Sequence, residues 1–356
     1  MKNLFICHRP YHILRSADVI FKNYLQGDNQ NVLIDFNVIN VNTNNYQDNQ
    51  PTSVLDKYFS KAIHLSRSDE VSIWDLKRFR HYYNEKISYY KSYVEELSDF
   101  DNLFFFSDLE KPVEILVGLL KEKKSRGAEI TIIDEGCAAY YRARPYWKSI
   151  LKSVVVFCGR FKYLNHSANY GQSLLYTSAM ATFPELCVFR KVPITKMLPL
   201  DNDYLNEVLS ISNLPININE KYIIYLSTVI DIEFRVLPEM EFDALKKMIT
   251  IAEKYNFHFY IKPHPIQDVT YYKKDPSLRD HVINTQLPAE VFFSENAIIA
   301  SVGSSSLINA KVQGVRSIEL SKLFKIDTGL PSFGVFSPSD ITEYEQYVNG
   351  KSTVAD

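Results

Sequence analysis

Three short groups of residues in this sequence could carry out chemistry, and the first is an acidic pair. Asp134 and Glu135 follow the apolar residues 130–133 and precede Gly136. The apolar run predicts a buried strand, and carboxylates at the carboxyl end of such a strand lie where open parallel sheets bind ligands. Glycine lets the chain turn sharply at that point. The pair is a candidate site, although an acidic turn after a strand is also ordinary loop chemistry.

The second group surrounds a histidine. An apolar strand predicted at 257–261 runs into Lys262, Pro263, His264 and Pro265. Prolines on both sides of the histidine restrict its backbone and exclude a helix. Because imidazole titrates near neutrality, His264 could bind a phosphate oxygen or protonate a leaving group. A histidine hydrogen-bonded within a turn would produce the same pattern.

The third group is a run of serines. Residues 301–307 read Ser-Val-Gly-Ser-Ser-Ser-Leu, between a strand predicted at 297–301 and a helix that begins near Ser305. Backbone N–H groups at a helix start, together with small hydroxyls, form a phosphate site without a lysine or a metal. The same serines would also cap the helix. The glycine spacing matches neither the dinucleotide-binding nor the P-loop pattern, so NAD and ATP binding are not supported.

The elements that must position these groups alternate between strands and helices. This alternation predicts an α/β fold with parallel sheets. The first half reads as four or five strands, at 3–7, 32–39, 61–65, 102–106 and 129–133, with helices at 12–24, 73–97 and 112–124. After a connection at 190–218, strands are predicted at 222–226, 257–261, 281–284, 297–301 and 315–320, with helices at 239–255, 289–294 and 305–313. We therefore predict GT-B architecture: two Rossmann-like domains, 1–200 and 201–356, facing a central cleft.

Composition narrows the class of protein. A chain of 356 residues exceeds one ordinary core, which also favours two domains. The net charge of −2 does not favour nucleic acid as a partner. The cysteines lack metal-ligand spacing and are predicted to be buried thiols in a reducing compartment: Cys7, Cys137, Cys158 and Cys187. The amino terminus reads as a strand, not a signal peptide, and no apolar run is long enough to span a membrane, so the prediction is cytoplasmic.

Together the three groups resemble the bacterial sialyltransferases, in particular glycosyltransferase family 52 and the related polysialyltransferases of family 38. In those families an acidic-acidic-Gly motif is followed by a His-Pro motif and then by a pair of serines or threonines. The same order appears here at 134–136, 264–265 and 304–306. The resemblance spans most of the chain, from the Pro-Tyr-His at 10–12 to Leu320.

In the first half, the resemblance implies catalytic roles. Glu135 corresponds to the general base that takes the proton of the acceptor. Asp134 would modulate it, since a neighbouring negative charge and partial burial are expected to raise the pKa of Glu135. The opening loop, with His8, Tyr11 and His12, would face the sialic acid or the acceptor.

In the second half, the resemblance implies a site for the CMP moiety of the donor. His264 corresponds to the histidine that contacts the phosphate. Lys262 and the backbone around Pro265 correspond to groups near the cytosine. Glu290 would accept hydrogen bonds from both ribose hydroxyls. The phosphate-binding pair falls on the serine run, as Ser305 and Ser306, or with Ser304 in an alternative register.

The implied activity is inverting transfer of sialic acid from CMP-sialic acid to a hydroxyl of a glycan acceptor, a terminal galactose or sialic acid, in surface polysaccharide or lipooligosaccharide synthesis. No cofactor is expected, because a monophosphate leaving group does not require a metal. Asp201 and Asp203 fit an Asp-x-Asp metal pattern, but they precede a predicted helix and are typical caps. Two alternatives stay open: another GT-B transferase with a CMP-Kdo or UDP-sugar donor, and a non-catalytic protein that binds a glycan or a nucleotide.

One further stretch, 140–163, combines aromatic and basic residues. It could lie against an acidic glycan or against an anionic membrane, which would place the protein at the inner face of the plasma membrane. A solvated helix face would explain the same composition. The oligomeric state is not predicted.

Overall fold

The structure is a computed structural model that describes residues 1–24, 28–36, 57–65, 71–124, 127–135, 139–140, 146–211, 216–264, 267–268, 270–283, 285, 287–328 and 334–351. The described residues form two compact units, the first ending at Asp201 and the second beginning at Asn202. Both units combine a parallel β-sheet with α-helices. The α/β fold predicted from the sequence is thereby confirmed.

The first unit contains a sheet of seven parallel strands in the order β3-β2-β1-β4-β5-β6-β7. The strands are β1 (Lys2–Cys7), β2 (Gln30–Asp35), β3 (Lys61–His64), β4 (Asn102–Phe105), β5 (Glu129–Ile133), β6 (Ser178–Ala181) and β7 (Ile194–Lys196). The α-helices are α1 (Pro10–Asn23), α2 (Leu76–Leu97), α3 (Lys111–Lys123) and α4 (Tyr146–Gly159), and Pro184–Leu186 form a 3₁₀ turn.

The order in which successive strands are added across this sheet reverses between β1 and β4. Strands β2 and β3 extend to one side of β1, and strands β4 to β7 extend to the other. Central strands of a parallel sheet are covered on both faces, and β1 and β4 accordingly consist of almost continuous buried residues. Ligands bind at the carboxyl ends of the strands beside such a reversal. The residues after Cys7 and after Phe105 lie at that position.

Two strands of the first unit have no clear signal in the sequence. The sequence predicts four or five strands and a connection at 190–218, whereas β6 and β7 add two more and β7 lies within that connection. Both are short, at four and three residues, and β7 at the sheet edge has no fully buried residue. Strands as short as these lack the apolar run from which buried strands are predicted.

The second unit contains a sheet of four parallel strands in the order β11-β10-β8-β9. The strands are β8 (Tyr222–Leu226), β9 (His258–Lys262), β10 (Ala297–Ser301) and β11 (Arg316–Glu319). The α-helices are α5 (Asn202–Ile211), α6 (Ile230–Glu233), α7 (Pro238–Lys254), α8 (Thr270–Lys273), α9 (Ser306–Val312) and α10 (Ile341–Val348). Here the reversal lies between β8 and β10, so the loops after Leu226 and after Ser301 border the predicted ligand crevice.

Two elements of the second unit differ in type from the elements that the sequence predicts. The strand predicted at 281–284 is instead a 3₁₀ helix, Arg279–His281, followed by a single bridge between Val282 and Ile261. The helix predicted at 289–294 is a 3₁₀ helix, Ala289–Phe292. Both segments are apolar but short, and short apolar runs do not distinguish one element type from another.

The cysteines differ in burial. Cys7 is buried as predicted, Cys187 is half-buried and Cys158 is exposed. The prediction of a buried thiol is therefore wrong for Cys158, and Cys137 lies outside the described residues. Of the helices in the described ranges, none has the length and apolar character needed to cross a membrane.

Candidate active site

The carboxylate of Glu135 lies among three nitrogen-bearing side chains from the start of the chain. Glu135 follows β5, while His8, Arg9 and His12 come from the loop after β1 and the first turn of α1. Nη1 of Arg9 lies 3.1 Å from Oε1 of Glu135. The Nε2 atoms of His8 and His12 each lie 3.6 Å from the same oxygen. The carboxyl end of β5 and the β1 loop therefore meet at one carboxylate.

Packing positions the two imidazoles. The His12 ring stacks on Phe106 with 4.2 Å between ring centroids, and it lies edge-on to His8 at the same distance. The backbone N–H of His8 donates to Nδ1 of His12 at 3.4 Å. In a neutral imidazole one nitrogen accepts and the other carries the proton, so this contact assigns the proton to Nε2 of His12, which faces Glu135.

The buried side chains of His12 and Glu135 differ in charge. Burial lowers the pKa of His12 to about 3, with a further contribution from His8, so this ring is neutral near pH 7. Burial alone would raise the pKa of Glu135. The adjacent His12 and His8 imidazoles and the charge of Arg9 outweigh that effect, and the pKa lies well below its ordinary value. The expectation of a raised pKa for Glu135 is wrong, and this carboxylate is ionised at neutral pH.

Asp134 occupies a different environment from its neighbour. Its Oδ2 accepts a hydrogen bond from the backbone N–H of Thr182 at 2.7 Å and another from the hydroxyl of Tyr140. Its own N–H donates to the carbonyl of Met180 at 2.9 Å. Burial raises the pKa of Asp134, against the opposing effect of these hydrogen bonds. Asp134 thus ties the end of β5 to the end of β6, while Glu135 faces the β1 loop.

Tyr11 lies beside this cluster. Its ring centroid is 6.3 Å from that of His12, and the guanidinium carbon of Arg15 lies 6.0 Å from the Tyr11 ring. Arg15 is itself buried and pairs with Asp18 at 3.0 Å. The structure therefore brings His8 and His12, two of the opening-loop residues named from the sequence, to Glu135, and it places Tyr11 next to His12. Gly136 lies outside the described residues.

The Glu135 cluster has the donor types of a metal site. One ligand atom each from His8, His12 and Glu135 lies within 4.8 Å of the others. Two imidazoles and a carboxylate can bind zinc and related ions. However, Arg9 already provides a cation to Oε1 of the carboxylate. An ion at this position would have to compete with the guanidinium.

The second unit brings several of the predicted donor-site residues together. Oε1 of Glu290 accepts hydrogen bonds from Oγ of Ser306 at 2.9 Å and from Nδ2 of Asn309 at 3.0 Å. The backbone N–H of Ser306 donates to Oγ of Ser304 at 3.3 Å. Glu290 is buried although it lies in a 3₁₀ turn. The helix start and the Glu290 turn are thus linked through Ser306.

Lys262 is buried at the end of β9. Burial lowers its pKa to about 8, against the opposing effect of the negative charge of Glu290. His264 follows two residues later and is half-buried, and its carbonyl accepts a hydrogen bond from the N–H of Gln267 at 2.8 Å. Pro265 lies outside the described residues. Lys262 is therefore close enough to Glu290 for their charges to interact.

The serine turn does not use all its hydroxyls for capping. Ser305 is the N-cap residue of α9, and its side chain makes no capping hydrogen bond. Gly303 has φ = 64°, a left-handed conformation that favours glycine. Its N–H donates to Oε1 of Glu319 at 3.2 Å. The sequence predicts the turn from its glycine and serines, but the support from Glu319 depends on the pairing of β10 with β11.

Sequence reasoning did not single out three residues that border these sites. Arg9 lies within the opening loop but appears there as an ordinary exposed arginine. Asn309 holds Glu290 from the next turn of α9. The hydroxyl of Thr228, after β8, is buried and has no hydrogen-bond partner within the described part of the chain. A polar residue in the loop after a central strand is the signal that could have identified Thr228.

A cavity of about 240 Å³ lies elsewhere in the second unit. It is lined by residues that precede or begin the strands, including Lys221, Asn296 and Arg316. Parallel sheets bind ligands at the opposite, carboxyl ends of their strands. The cavity is therefore separate from the Lys262 and Glu290 group.

Two α/β units, each with a parallel sheet and with candidate site residues at its strand ends, agree with the GT-B architecture predicted from the sequence. The chain belongs to the alpha-2,8-polysialyltransferase (POLYST) family, whose model matches residues 3–320. The family identifies the protein as a glycosyltransferase and agrees with the polysialyltransferase part of the resemblance seen in the sequence. Membership of family 52 stays a prediction. Among curated proteins, none matches the chain.

Solved structures share the fold at low sequence identity. A UDP-GlcNAc 2-epimerase from Methanocaldococcus jannaschii, in complex with UDP-GlcNAc and UDP, has a TM-score of 0.54 and 10% identity, over 99% of this chain and 92% of its own. Another UDP-N-acetylglucosamine 2-epimerase has a TM-score of 0.53 and 10% identity, over 98% and 86%. The GT-B domain of a sialyltransferase from Photobacterium damselae has 11% identity over 99% and 98%, with a TM-score of only 0.47. At these identities the likeness concerns the fold alone.

Proposed function

We propose that this protein transfers sialic acid from CMP-sialic acid to a hydroxyl of a glycan acceptor, with inversion at the anomeric carbon. The observation that carries the proposal is the Glu135 carboxylate, ionised and largely buried beside His8, Arg9 and His12. An ionised carboxylate at the carboxyl end of a central strand can accept a proton. Membership of the polysialyltransferase family supports the choice of sugar.

In the proposed reaction Glu135 is the general base. The acceptor oxygen forms a bond to the anomeric carbon while its proton passes to Glu135. The bond between that carbon and the CMP phosphate oxygen breaks, and its electron pair stays on the phosphate. Attack from the face opposite CMP inverts the configuration, through an oxocarbenium-like transition state. The low pKa makes Glu135 a weak but fully ionised base, which suits a hydroxyl that becomes acidic only as it bonds to carbon.

On the donor side, we assign the CMP moiety to the second unit. Near neutral pH Lys262 is mainly protonated, since its pKa is about 8, so it can offset the negative charge of the nucleotide. His264 and the hydroxyls of Ser305 and Ser306, with Ser304 next to them, would stabilise the charge that develops on the phosphate. Glu290 would accept hydrogen bonds from the ribose. The leaving group is a monophosphate ester, and no metal or other cofactor is assigned a step.

For the acceptor, we favour the 8-hydroxyl of a terminal sialic acid. The family is named for α-2,8 linkage, and this support comes from the family match rather than from any residue described above. Arg9 offers one point of contact, because its side chain is 58% exposed while its guanidinium also touches Glu135. The carboxylate of a sialic acid could pair with the exposed part of that group.

The test is a donor and acceptor panel read by mass spectrometry. The protein is incubated with CMP-sialic acid and either galactosides or α-2,8-linked sialic acid oligomers, and in parallel with CMP-Kdo and UDP-sugars. We expect products extended by one or more sialic acids on the oligomers, together with release of CMP. Transfer from CMP-Kdo or from a UDP-sugar alone would replace the proposed donor. Binding of CMP with no transfer to any acceptor would favour the non-catalytic alternative.

A further inference from the structure

Helix α4 turns its polar side chains toward the protein. Oγ of Ser153 donates to the carbonyl of His166 at 2.8 Å, and Nζ of Lys152 donates to the carbonyl of Ser167 at 2.9 Å. Oγ of Ser149 accepts from the N–H of Ala168 at 3.1 Å. The loop after the helix thus satisfies its polar groups, which reverses the usual amphipathic arrangement, with the apolar stripe toward the core.

The apolar side chains of the same helix face outward. Phe157 is 78% exposed, Trp147 is 59% exposed and Val154 is 51% exposed. The complete outward face consists of Tyr146, Trp147, Ile150, Leu151, Val154 and Phe157, with Cys158 beside it. Their spacing of three and four residues puts them on one side of the helix. Single exposed apolar residues are normal, whereas a contiguous face of this kind marks an interaction surface.

The segment of sequence that contains this face carries only positive charges. Between Glu135 and Glu185 the chain has no acidic residue, but it has six basic ones: Arg142, Arg144, Lys148, Lys152, Arg160 and Lys162. Among those described, Lys148 lies 5.5 Å from the Trp147 ring and Arg160 is exposed. Lys162 pairs with Glu122 at 2.7 Å. The chain as a whole has a net charge of −2, so this segment differs sharply from the average.

We propose that the outward face of α4 docks on an anionic lipid surface, with the helix lying in the plane of the interface. Apolar and aromatic side chains flanked by cations are the features that hold interfacial helices on anionic lipids. The helix has 14 residues, about 21 Å in length, and its other face is hydrogen-bonded to protein, so it lies on the bilayer instead of crossing it. A twofold dimer across the same face would instead bring two positive segments together. This inference does not depend on the proposed reaction.

The test is flotation of the full-length protein with lipid vesicles. Vesicles of equal parts phosphatidylglycerol and phosphatidylcholine are compared with pure phosphatidylcholine, at low and at high salt. We expect binding to the anionic vesicles at low salt. Trp147→Ser with Phe157→Ser should weaken the partition coefficient by about 100-fold, because two large apolar side chains are lost. Lys148→Glu with Arg160→Glu should weaken it by at least about tenfold.

Matched controls come from exposed positions in the second unit. Leu237→Ser with Met240→Ser removes apolar side chains that are 62% and 52% exposed and should leave vesicle binding unchanged. Lys274→Glu with Lys322→Glu reverses two exposed charges and should also leave vesicle binding unchanged. Circular dichroism checks that each variant is folded.

Two results would overturn the proposal. The first is an absence of binding to anionic vesicles at low salt, or binding that the α4 variants leave intact. The second is a concentration-dependent dimer, without vesicle binding, that the Trp147 and Phe157 substitutions disrupt; this would assign the face to contact between copies of the chain.

Discussion

Replacing Glu135 by glutamine is the most direct perturbation of the proposed mechanism. Glutamine keeps the size of the side chain and removes its negative charge and its ability to take a proton. The surrounding groups tolerate the change, because His12 is neutral and the Arg9 side chain is 58% exposed to water. No buried charge is left without a counterpart, but the low pKa of Glu135 means that its ionised form stabilises the fold, so we expect a loss of stability of about 1–3 kcal/mol.

The size of the catalytic effect follows from the environment of Glu135. Removal of a general base costs about 10²–10⁴ in rate. The low pKa of Glu135 places it among the weaker carboxylate bases, so the loss should lie toward the lower end. We therefore expect kcat to fall by about 10²–10³, which corresponds to about 3–4 kcal/mol in the activation barrier.

Three measurements separate catalysis from binding and folding. Release of CMP in the presence of acceptor reports kcat, calorimetry reports CMP affinity, and thermal unfolding reports stability. CMP affinity should stay unchanged, since the proposed nucleotide site lies in the second unit, and Tm should fall by no more than about 12 °C. Glu95→Gln, an exposed position in the same unit, is the matched control. A kcat within about fivefold of the wild type would remove Glu135 from the role of base.

The remaining predictions concern the donor site and the role of metals. CMP affinity should fall as the pH rises through about 8, because burial lowers the pKa of Lys262 to that range and the neutral amine no longer offsets the negative charge of the nucleotide. Lys262→Met should bind CMP weakly at all pH values, and a wild-type affinity independent of pH between 7 and 9 would contradict the assignment. Glu290→Ala should weaken CMP binding by at least about tenfold, since it removes the acceptor for Ser306 as well as for the ribose, whereas exposed Glu295→Ala should not. EDTA should leave turnover unchanged, and an activity lost with EDTA and restored by a divalent ion would overturn metal independence. Added Zn²⁺ should inhibit by occupying the Glu135 cluster, an effect that His8→Ala should reduce.

The longer elements could be predicted because their signals are local. Strands such as β5 and β8 are buried almost throughout and read as apolar runs, and helix α7 has a clear amphipathic pattern. The turns after β9 and β10 were likewise visible from their proline and glycine residues. In each case a few neighbouring side chains determine the backbone conformation, and that information lies in the sequence itself.

Contacts between distant residues were not predictable in this way. The low pKa of Glu135 depends on His8 and His12, which lie more than 120 residues earlier in the chain. The charge of the adjacent Asp134 predicted a raised pKa for Glu135, which is the wrong direction. Asp134 is instead bound by Thr182 and Tyr140. A pKa responds to every charge and donor within a few ångströms, and only the tertiary structure specifies which those are.

The sequence by itself determined the alternating α/β pattern and the three chemical groups at their strand ends. Only the tertiary structure decided which groups face one another: Glu135 with the β1 loop, and Glu290 with Ser306. It also decided that α4 presents its apolar side chains outward, since the same periodic pattern would suit a helix packed on a core. Periodicity specifies that a helix has two faces, but the direction each face points depends on the polar partners that the rest of the fold supplies.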